Sequence, residues 1–136
     1  MTLAALALAG ALVGSTGSAH ELIDRLFAAF NRHDAAALQA LYAPEAVLTS
    51  SDFCRPRTGR DVTRTYAALF SSVPDIKDRV VNVIIEGDRA AVRFVSSSEL
   101  PGKSFRMQLV TLLRFRDGRI IEDDTIFDNG GRACEP

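Results

Sequence analysis

Apolar residues recur at helical spacing in the first half of the chain. From His20 to Phe30 they share one face of the helical repeat, which predicts a first helix. Asp34 has the side chain of a helix N-cap, and the apolar stretch behind it predicts a short second helix that stops before Pro44. A short strand is expected at residues 46–53. Thr58 then precedes a third helix, whose apolar face is formed by Val62, Tyr66, Leu69, Phe70 and Val73.

Beyond Lys77 the apolar positions alternate with polar ones, which is the pattern of β-strands. Three turn signals, EGD at 86–88, LPGK at 100–103 and RDGR at 116–119, divide this half into four strands. Helices followed by a run of antiparallel strands predict an α+β domain, in which three helices pack on one face of a curved, mostly antiparallel sheet. The strand at 106–115 is partly apolar on both faces, so we expect a homodimer through the outer sheet face.

The N-terminal stretch carries the features of an export signal. Residues 1–19 contain no charged side chain, and their apolar run is shorter than the roughly 20 residues that span a bilayer. Gly17 and Ala19 are small residues ahead of a cleavage point, so we expect residues 1–19 to be a signal peptide and residues 20–136 to form one periplasmic or secreted domain. No basic residue precedes the apolar run. The alternative is a capping box of Ser18 and Glu21 on the first helix, with the protein in the cytoplasm.

Composition and charge exclude several classes of partner. Sixteen Lys+Arg balance 17 Asp+Glu without clustering, so neither a nucleic-acid face nor a polybasic membrane patch is predicted. None of the nine Gly lies in a phosphate-binding motif, and two Cys with two His show no metal-ligand spacing, so no cofactor or metal is expected. Cys54 and Cys134 would pair in an oxidising compartment and remain thiols in the cytosol.

Three stretches carry a family resemblance: LFAAFNRHDAAALQALYAPEAVL, RTGRDVTRTYAALF and LRFRDGRIIED. In this order they resemble the SnoaL-like and ketosteroid-isomerase-like branch of the NTF2-like superfamily, and the resemblance covers His20 to Asp128. It implies a cone-shaped α+β fold whose bent sheet and helices enclose an apolar pocket. The superfamily includes isomerases, polyketide cyclases, dehydratases, hydrolases and non-catalytic binding modules, so the resemblance implies a pocket rather than one reaction.

The catalytic groups of these relatives are replaced in this chain. The positions that match the tyrosine, acid and aspartate of ketosteroid isomerases are Leu26, Thr111 and Ser50. SnoaL-like cyclases pair an aspartate with a histidine in the strand half, and this chain has no histidine after His33. Any catalytic residue therefore has to be identified from this chain itself.

Hairpin geometry selects one carboxylate from the acidic last strand. If Asp117 and Gly118 form a two-residue turn, Thr111 pairs with Asp124 and both face inward. Burial would raise the pKa of Asp124 and make it a general base near neutral pH. A one-residue bulge at the turn would instead select Asp123. A further alternative is that these acids form a solvated rim.

The sequence thus supports three hypotheses for a pocket that binds a small apolar molecule. The first is a cofactor-independent acid–base enzyme of isomerase, cyclase or dehydratase type, acting on a carbonyl compound with Asp124, Asp52 and Thr111 as catalytic residues. The second is a non-catalytic ligand-binding module, and the third is a protein-association module. In the first two, the ligand would contact Tyr66, Leu26, Leu109 and Ile126, although packing alone also explains Tyr66 at its helical position.

Overall fold

The computed structural model describes residues 16–136, and its side chains are described from Ala19 onward. The helices are α1 (Thr16–Asn31), α2 (Ala35–Leu41) and α3 (Val62–Ser72), the last preceded by a 3₁₀ turn at Gly59–Asp61. The strands are β1 (Tyr42–Ser50), β2 (Arg57–Thr58), β3 (Lys77–Glu86), β4 (Arg89–Ser98), β5 (Phe105–Arg116) and β6 (Arg119–Ile126). The predicted order of elements is confirmed. The proposed signal peptide lies largely outside the described residues.

Local signals account for the ends of the helices. The Asp34 carboxylate accepts a hydrogen bond from the backbone N–H of Ala37 at 2.9 Å, so the predicted N-cap of α2 is confirmed. His33, at a positive φ of 57°, turns the chain between α1 and α2. Its ring stacks on Phe70 and its Nε2 lies 2.8 Å from the carbonyl oxygen of Ile76, so His33 is half-buried.

The first strand begins earlier than the sequence pattern predicts. It starts at Tyr42 and includes Pro44, which has no N–H to donate to a ladder. The pairing of β1 with β6 is accordingly irregular between Tyr42 and Val47 and regular from Val47 to Ser50. Strand β1 therefore brings Tyr42 next to the last strand of the sheet.

All six strands form one curved sheet in the order β2-β1-β6-β5-β4-β3, in which only β1 and β6 run parallel. The three helices pack on its inner face, and the predicted α+β architecture is confirmed. The most completely buried side chains between the two layers are Ile23, Leu38, Val62, Val92 and Ile120. Within the described range, no helix is both long enough and apolar enough to cross a membrane.

The segment after β6 returns along the end of β1. A disulfide joins Cys54 to Cys134, and Phe53 forms a parallel bridge with Glu135. Arg132 also forms an ion pair with Asp52 at 3.2 Å. The pairing of the two cysteines, which the sequence left open, thus holds the C-terminal tail beside the entrance of the cavity described next.

Candidate functional site

A cavity of about 1080 Å³ lies between the helices and the inner face of the sheet. Its apolar wall is formed by Leu26, Phe27, Phe30, Phe94, Met107 and Leu109. Exposed basic side chains also line it, which marks their side as its opening to solvent; they are Arg55, Arg64, Lys103 and Arg132. A concave apolar space of this size with few polar groups is typical of a small-molecule site.

Asp123 lies at the centre of a polar cluster inside this cavity. The residue is only 5% exposed. The Tyr42 hydroxyl donates a hydrogen bond to Oδ2 of Asp123 at 2.5 Å, and the Thr111 hydroxyl donates to Oδ1 at 2.6 Å. The Thr125 hydroxyl donates to the same Oδ1 at 3.1 Å. We call Tyr42, Thr111, Asp123 and Thr125 the Asp123 cluster.

The sheet places the members of the Asp123 cluster on neighbouring strands. Strand β6 lies between β1 and β5, and Asp123 is opposite Leu48 on one side and Leu113 on the other. Thr111 and Thr125 form a cross-strand pair one step further along the same face. The cluster thus rests on regular strands, which hold its hydrogen-bond geometry more rigidly than loops would.

Burial dominates the electrostatics of the cluster. Desolvation raises the pKa of the Asp123 carboxyl, although hydrogen bonds from Thr111, Tyr42 and Thr125 oppose the rise. Burial, followed by the charge of Asp123, raises the pKa of Tyr42 well above its ordinary value. The Tyr42 phenol therefore stays protonated at neutral pH and remains a hydrogen-bond donor to Asp123.

Tyr66 of α3 extends the cluster toward the middle of the cavity. Its pKa is also raised, first by burial and then by the charge of Asp123, and a hydrogen-bond interaction with Tyr42 lowers it in part. The ring packs edge-on against Phe30, with 5.9 Å between ring centroids. Tyr66 thus lines the cavity and contributes to helix packing as well.

The prediction that Asp124 faces the cavity was wrong. The turn pairs Phe115 with Ile120 as expected, but the next pair is Arg114 with Glu122, so Ile121 is an extra residue in β6. This is the one-residue bulge that the sequence left open, and it exchanges Asp123 for Asp124.

The outer-face contacts of Asp124 agree with this register. It is opposite Leu112, which is 44% exposed, and its carboxylate accepts a hydrogen bond from the Thr49 hydroxyl at 2.8 Å. The same shift turns Ile126 outward, where it is 51% exposed and opposite Val110. Ile126 is therefore not a wall residue, and Thr125 and Phe127 line the cavity in its place.

The other predicted site residues reach the cavity. Thr111, Leu26 and Leu109 line its interior, and Asp52 lies near its opening. Asp52 forms an ion pair there with Arg132 at 3.2 Å. Whether any of these residues contacts a ligand remains a prediction.

Sequence reasoning missed two polar residues of the cavity, Tyr42 and Asp78. The predicted second helix, which stops before Pro44, would include Tyr42, but Tyr42 is the first residue of β1. Asp78, on β3, is also among the residues that line the cavity. No group of three or more His, Cys, Asp or Glu side chains between residues 16 and 136 is arranged to hold a metal ion.

Comparisons with known proteins agree with this geometry. Residues 23–123 match the SnoaL-like domain family. IdmH, a proposed polyketide cyclase from Streptomyces antibioticus, is 28% identical, with coverage of 82% of this chain and 92% of IdmH and a TM-score of 0.74. A loop-truncated IdmH variant is 30% identical over 82% of this chain and 93% of its own, with a TM-score of 0.73.

AclR, a proposed hydroxylase from Streptomyces galilaeus, shares the fold at 24% identity, with coverage of 84% of this chain and 91% of AclR and a TM-score of 0.71. No curated protein matched the sequence. The family match spans most of the chain and includes Tyr42, Thr111 and Asp123 of the cluster, whereas Thr125 lies beyond it. The protein therefore belongs to the SnoaL-like family within the NTF2-like fold.

Proposed function

We propose that this protein is a cofactor-independent acid–base enzyme that moves a proton on a small apolar carbonyl compound, in a reaction of isomerase, cyclase or dehydratase type. The observation that carries the proposal is the buried Asp123 carboxyl, with its three hydroxyl donors, inside an apolar cavity. A carboxyl group whose pKa is raised by burial is suited to exchange protons nearer neutral pH.

The arrangement suits a substrate that becomes negatively charged on oxygen during the reaction. The phenol of Tyr66 and a protonated Asp123 are the donors available to a carbonyl oxygen, and the apolar wall excludes water that would weaken such hydrogen bonds. IdmH, at 28% identity, is a proposed polyketide cyclase, which supports cyclisation as one form of this chemistry.

The experiment measures proton exchange on a model ketone. 2-Tetralone has acidic hydrogens next to its carbonyl group, and their replacement by deuterium in D₂O can be followed by ¹H NMR. We expect the protein to accelerate the exchange and Asp123→Asn to slow it by a factor of about 100, the scale of general acid–base catalysis.

Asp124→Asn is the matched control, because Asp124 is the neighbouring carboxylate on the outer face of the sheet. It should exchange 2-tetralone far faster than Asp123→Asn, because the charge of Asp124 is the smallest of the causes that act on the pKa of Asp123. Equal rates for the wild type, Asp123→Asn and the buffer blank would contradict the proposal.

A second candidate function is a ligand-binding module without catalysis. It is favoured by one observation: both oxygens of Asp123 already accept hydrogen bonds from the protein, so the carboxylate can support the cavity wall without reacting with a bound molecule. In that case 2-tetralone would bind without exchange, and its affinity would be nearly unchanged in Asp123→Asn.

A further inference from the structure

The opening of the cavity is lined by basic side chains that lie far apart in the sequence. Of the described residues that line the cavity, five carry a cationic side chain, namely Arg55, Arg57, Arg64, Lys103 and Arg132. Four carry a carboxyl group, but burial disfavours the charged form of two of them, Asp78 and Asp123. The solvent-accessible part of this lining therefore has two carboxylates, Asp52 and Glu135, against five cations.

The sheet brings most of these cations to one of its ends. Strands β1 and β6 run parallel, and β5 runs antiparallel to β6. The ends of β1 and β6 therefore lie at the same end of the sheet as the start of β5. Four of the cations lie just beyond these strand ends: Arg55 and Arg57 after β1, Arg132 after β6 and Lys103 before β5. The fold thus gathers charges that the sequence does not cluster.

The Cys54–Cys134 disulfide fixes part of this arrangement. Its two cysteines are 80 residues apart in the sequence, and they join the segment that carries Arg55 to the segment that carries Arg132. The Cys54 N–H also donates a hydrogen bond to the carbonyl oxygen of Glu135 at 2.8 Å. The two arginines therefore lie on segments that are covalently joined at the opening, which pre-organises them for a common ligand.

Two of the five cations have no carboxylate partner. Arg55 and Lys103 form no ion pair with any residue between 16 and 136. The other three pair with one carboxylate each, Arg57 with Glu135, Arg64 with Asp61 and Arg132 with Asp52. Surface pairs of this kind contribute little free energy, and a guanidinium has five N–H donors, so a paired arginine can still bind another anion. The opening therefore carries a net positive charge.

Asp78 gives the interior a negative character, together with Asp123. The register of β3 on β4 shifts at Val81, an extra residue that turns Asp78 to the inner face. Burial raises the pKa of the Asp78 carboxyl to about 7. Its Oδ1 is closed to solvent and is therefore not a ligand contact. Its charge still reaches the cavity, since it contributes to the raised pKa of Tyr66.

The cavity thus has opposite electrostatic character at its opening and in its interior. A carboxylate placed in the interior would lose its water and face Asp78 and Asp123. A carboxylate at the opening keeps part of its water and lies beside cations. An anionic group on a ligand should therefore stay at the opening while the apolar part of the ligand enters.

We propose that the opening of the cavity is an anion-binding site, and that the substrate is an amphipathic acid: an apolar carbonyl compound with an anionic group, such as a carboxylate, at one end. The inference rests on the proposed function. The carbonyl group reaches the Asp123 cluster, and the anionic group binds beside Arg55 and Lys103. No bond to the anionic group is made or broken, so its role is to select and orient the substrate.

Two naphthalenes of nearly the same shape test this inference. 2-Naphthoate carries a carboxylate, and 2-naphthamide carries a neutral group of similar size. By isothermal titration calorimetry in about 20 mM salt, we expect 2-naphthoate to bind about 10-fold more tightly, the effect of two exposed cations. The ratio should fall below about threefold in about 500 mM NaCl, because salt screens exposed charges. Equal affinities at low salt would overturn the inference.

The double variant Arg55→Gln/Lys103→Gln removes the two cations that have no carboxylate partner. Both side chains are exposed, so the variant should fold, which circular dichroism checks. It should reduce the preference for 2-naphthoate to about twofold or less and change the affinity for 2-naphthamide much less. Arg93→Gln, on the exposed outer face of β4, is the matched control and should keep the wild-type preference. A wild-type preference in the double variant would overturn the site.

Exchange kinetics provide a second measurement. The α-hydrogens of 2-tetralone-6-carboxylate and of the matching 6-carboxamide can be followed in D₂O as for 2-tetralone. The KM of the carboxylate should be about 10-fold lower at similar kcat, because a group remote from the reacting carbon binds equally well before and in the transition state. Equal KM values for the two ketones would contradict the anion site.

The two proposals fail in distinguishable ways. Exchange of 2-tetralone without any preference for 2-naphthoate would overturn only the anion site. A preference that disappears in the double variant, without exchange of any ketone, would support the anion site and overturn the enzyme. Binding of neither naphthalene, together with no exchange, would overturn both proposals.

Discussion

At the scale of single residues, the protonation of the site depends on how many hydrogen bonds each carboxyl group accepts. Asp123 receives three hydroxyl donors, which offset part of the cost of its burial. Asp78 receives none on Oδ1 and takes up a proton more readily instead. Burial of the charged form of Asp78 is therefore a cost to stability, whereas the burial of Asp123 is partly offset by its hydrogen bonds.

Asp78 should make the stability of the protein depend on pH. Its pKa is raised from 3.8 to about 7, so the folded protein holds this proton more tightly than the unfolded chain. The free energy of unfolding should therefore fall between pH 4 and pH 7 and remain lower above that range. Asp78→Asn removes the effect and should be more stable than the wild type at pH 8, by at most about 4 kcal/mol.

Urea unfolding of both proteins at pH 4 and pH 8 measures this difference. The two should be nearly equal at pH 4, because Asp78 is then protonated in the folded protein and still about 40% protonated in the unfolded chain, so little of the difference has developed. Asp123 is present in both proteins, so its own raised pKa cancels from the comparison. A wild-type protein more stable than Asp78→Asn by the same amount at both pH values would contradict the expected ionisation.

At the scale of secondary-structure elements, the start of β1 packs closely against the backbone of the 3₁₀ turn at Gly59–Asp61. A Cβ atom added to Gly59 would overlap the carbonyl oxygen of Ala43, so the 3₁₀ turn can contact β1 here only through glycine. The same segment of β1 carries Tyr42, the donor to Oδ2 of Asp123. The packing of the turn thus helps to place one hydrogen bond of the Asp123 cluster.

Gly59→Ala should therefore lower the free energy of unfolding by about 2 kcal/mol or more, because backbone must move to admit the methyl group. Thermal and urea denaturation measure the change. The comparison variant is Gly87→Ala, which has open space around its Cβ but a positive φ of 58° and should cost only about 1 kcal/mol. A smaller effect at Gly59 than at Gly87 would show that β1 accommodates the methyl group easily.

At the scale of the whole molecule, the outer face of the sheet carries apolar side chains that the helices do not cover. Ile84 is 63% exposed, Leu112 is 44% exposed and Ile126 is 51% exposed. Ala91 of β4 lies between Ile84 of β3 and Leu112 of β5, so these side chains share the outer face. An uncovered apolar sheet face of this kind favours association. We propose that two copies of the chain pack through this face.

Leu112→Glu should convert such a dimer to a monomer without unfolding it, because it places a charge in the centre of the face. Sedimentation velocity measures the change in mass, and circular dichroism checks the fold. Ala36→Glu, on the exposed side of α2, is the control and should leave the mass unchanged. A wild-type protein that sediments as a monomer at high concentration would contradict the proposed dimer.

Export is the second proposal at this scale. The Cys54–Cys134 disulfide supports it, since such bonds persist in oxidising compartments. Mass spectrometry of the protein isolated from its native cells should find His20 at the N-terminus in the periplasmic or secreted fraction. A cytoplasmic protein that retains residues 1–19 would contradict this expectation.

The order and type of the elements were determined by the sequence alone. Helical spacing up to Phe70, alternation beyond Lys77, the Asp34 cap and the three turns are local features, and each specifies structure over a few residues. The apolar wall residues Leu26 and Leu109 followed from the same periodicity. The family resemblance rests on these local patterns too, so it was readable without coordinates.

Only the tertiary structure decided which carboxyl groups enter the cavity. A strand alternates with a period of two, so one extra residue exchanges the inner and outer faces beyond it. Ile121 turns Asp123 inward and Asp124 outward, and Val81 does the same for Asp78. Whether a strand accepts such a bulge depends on the packing of both its faces, which is set by distant residues and cannot be read from the local pattern.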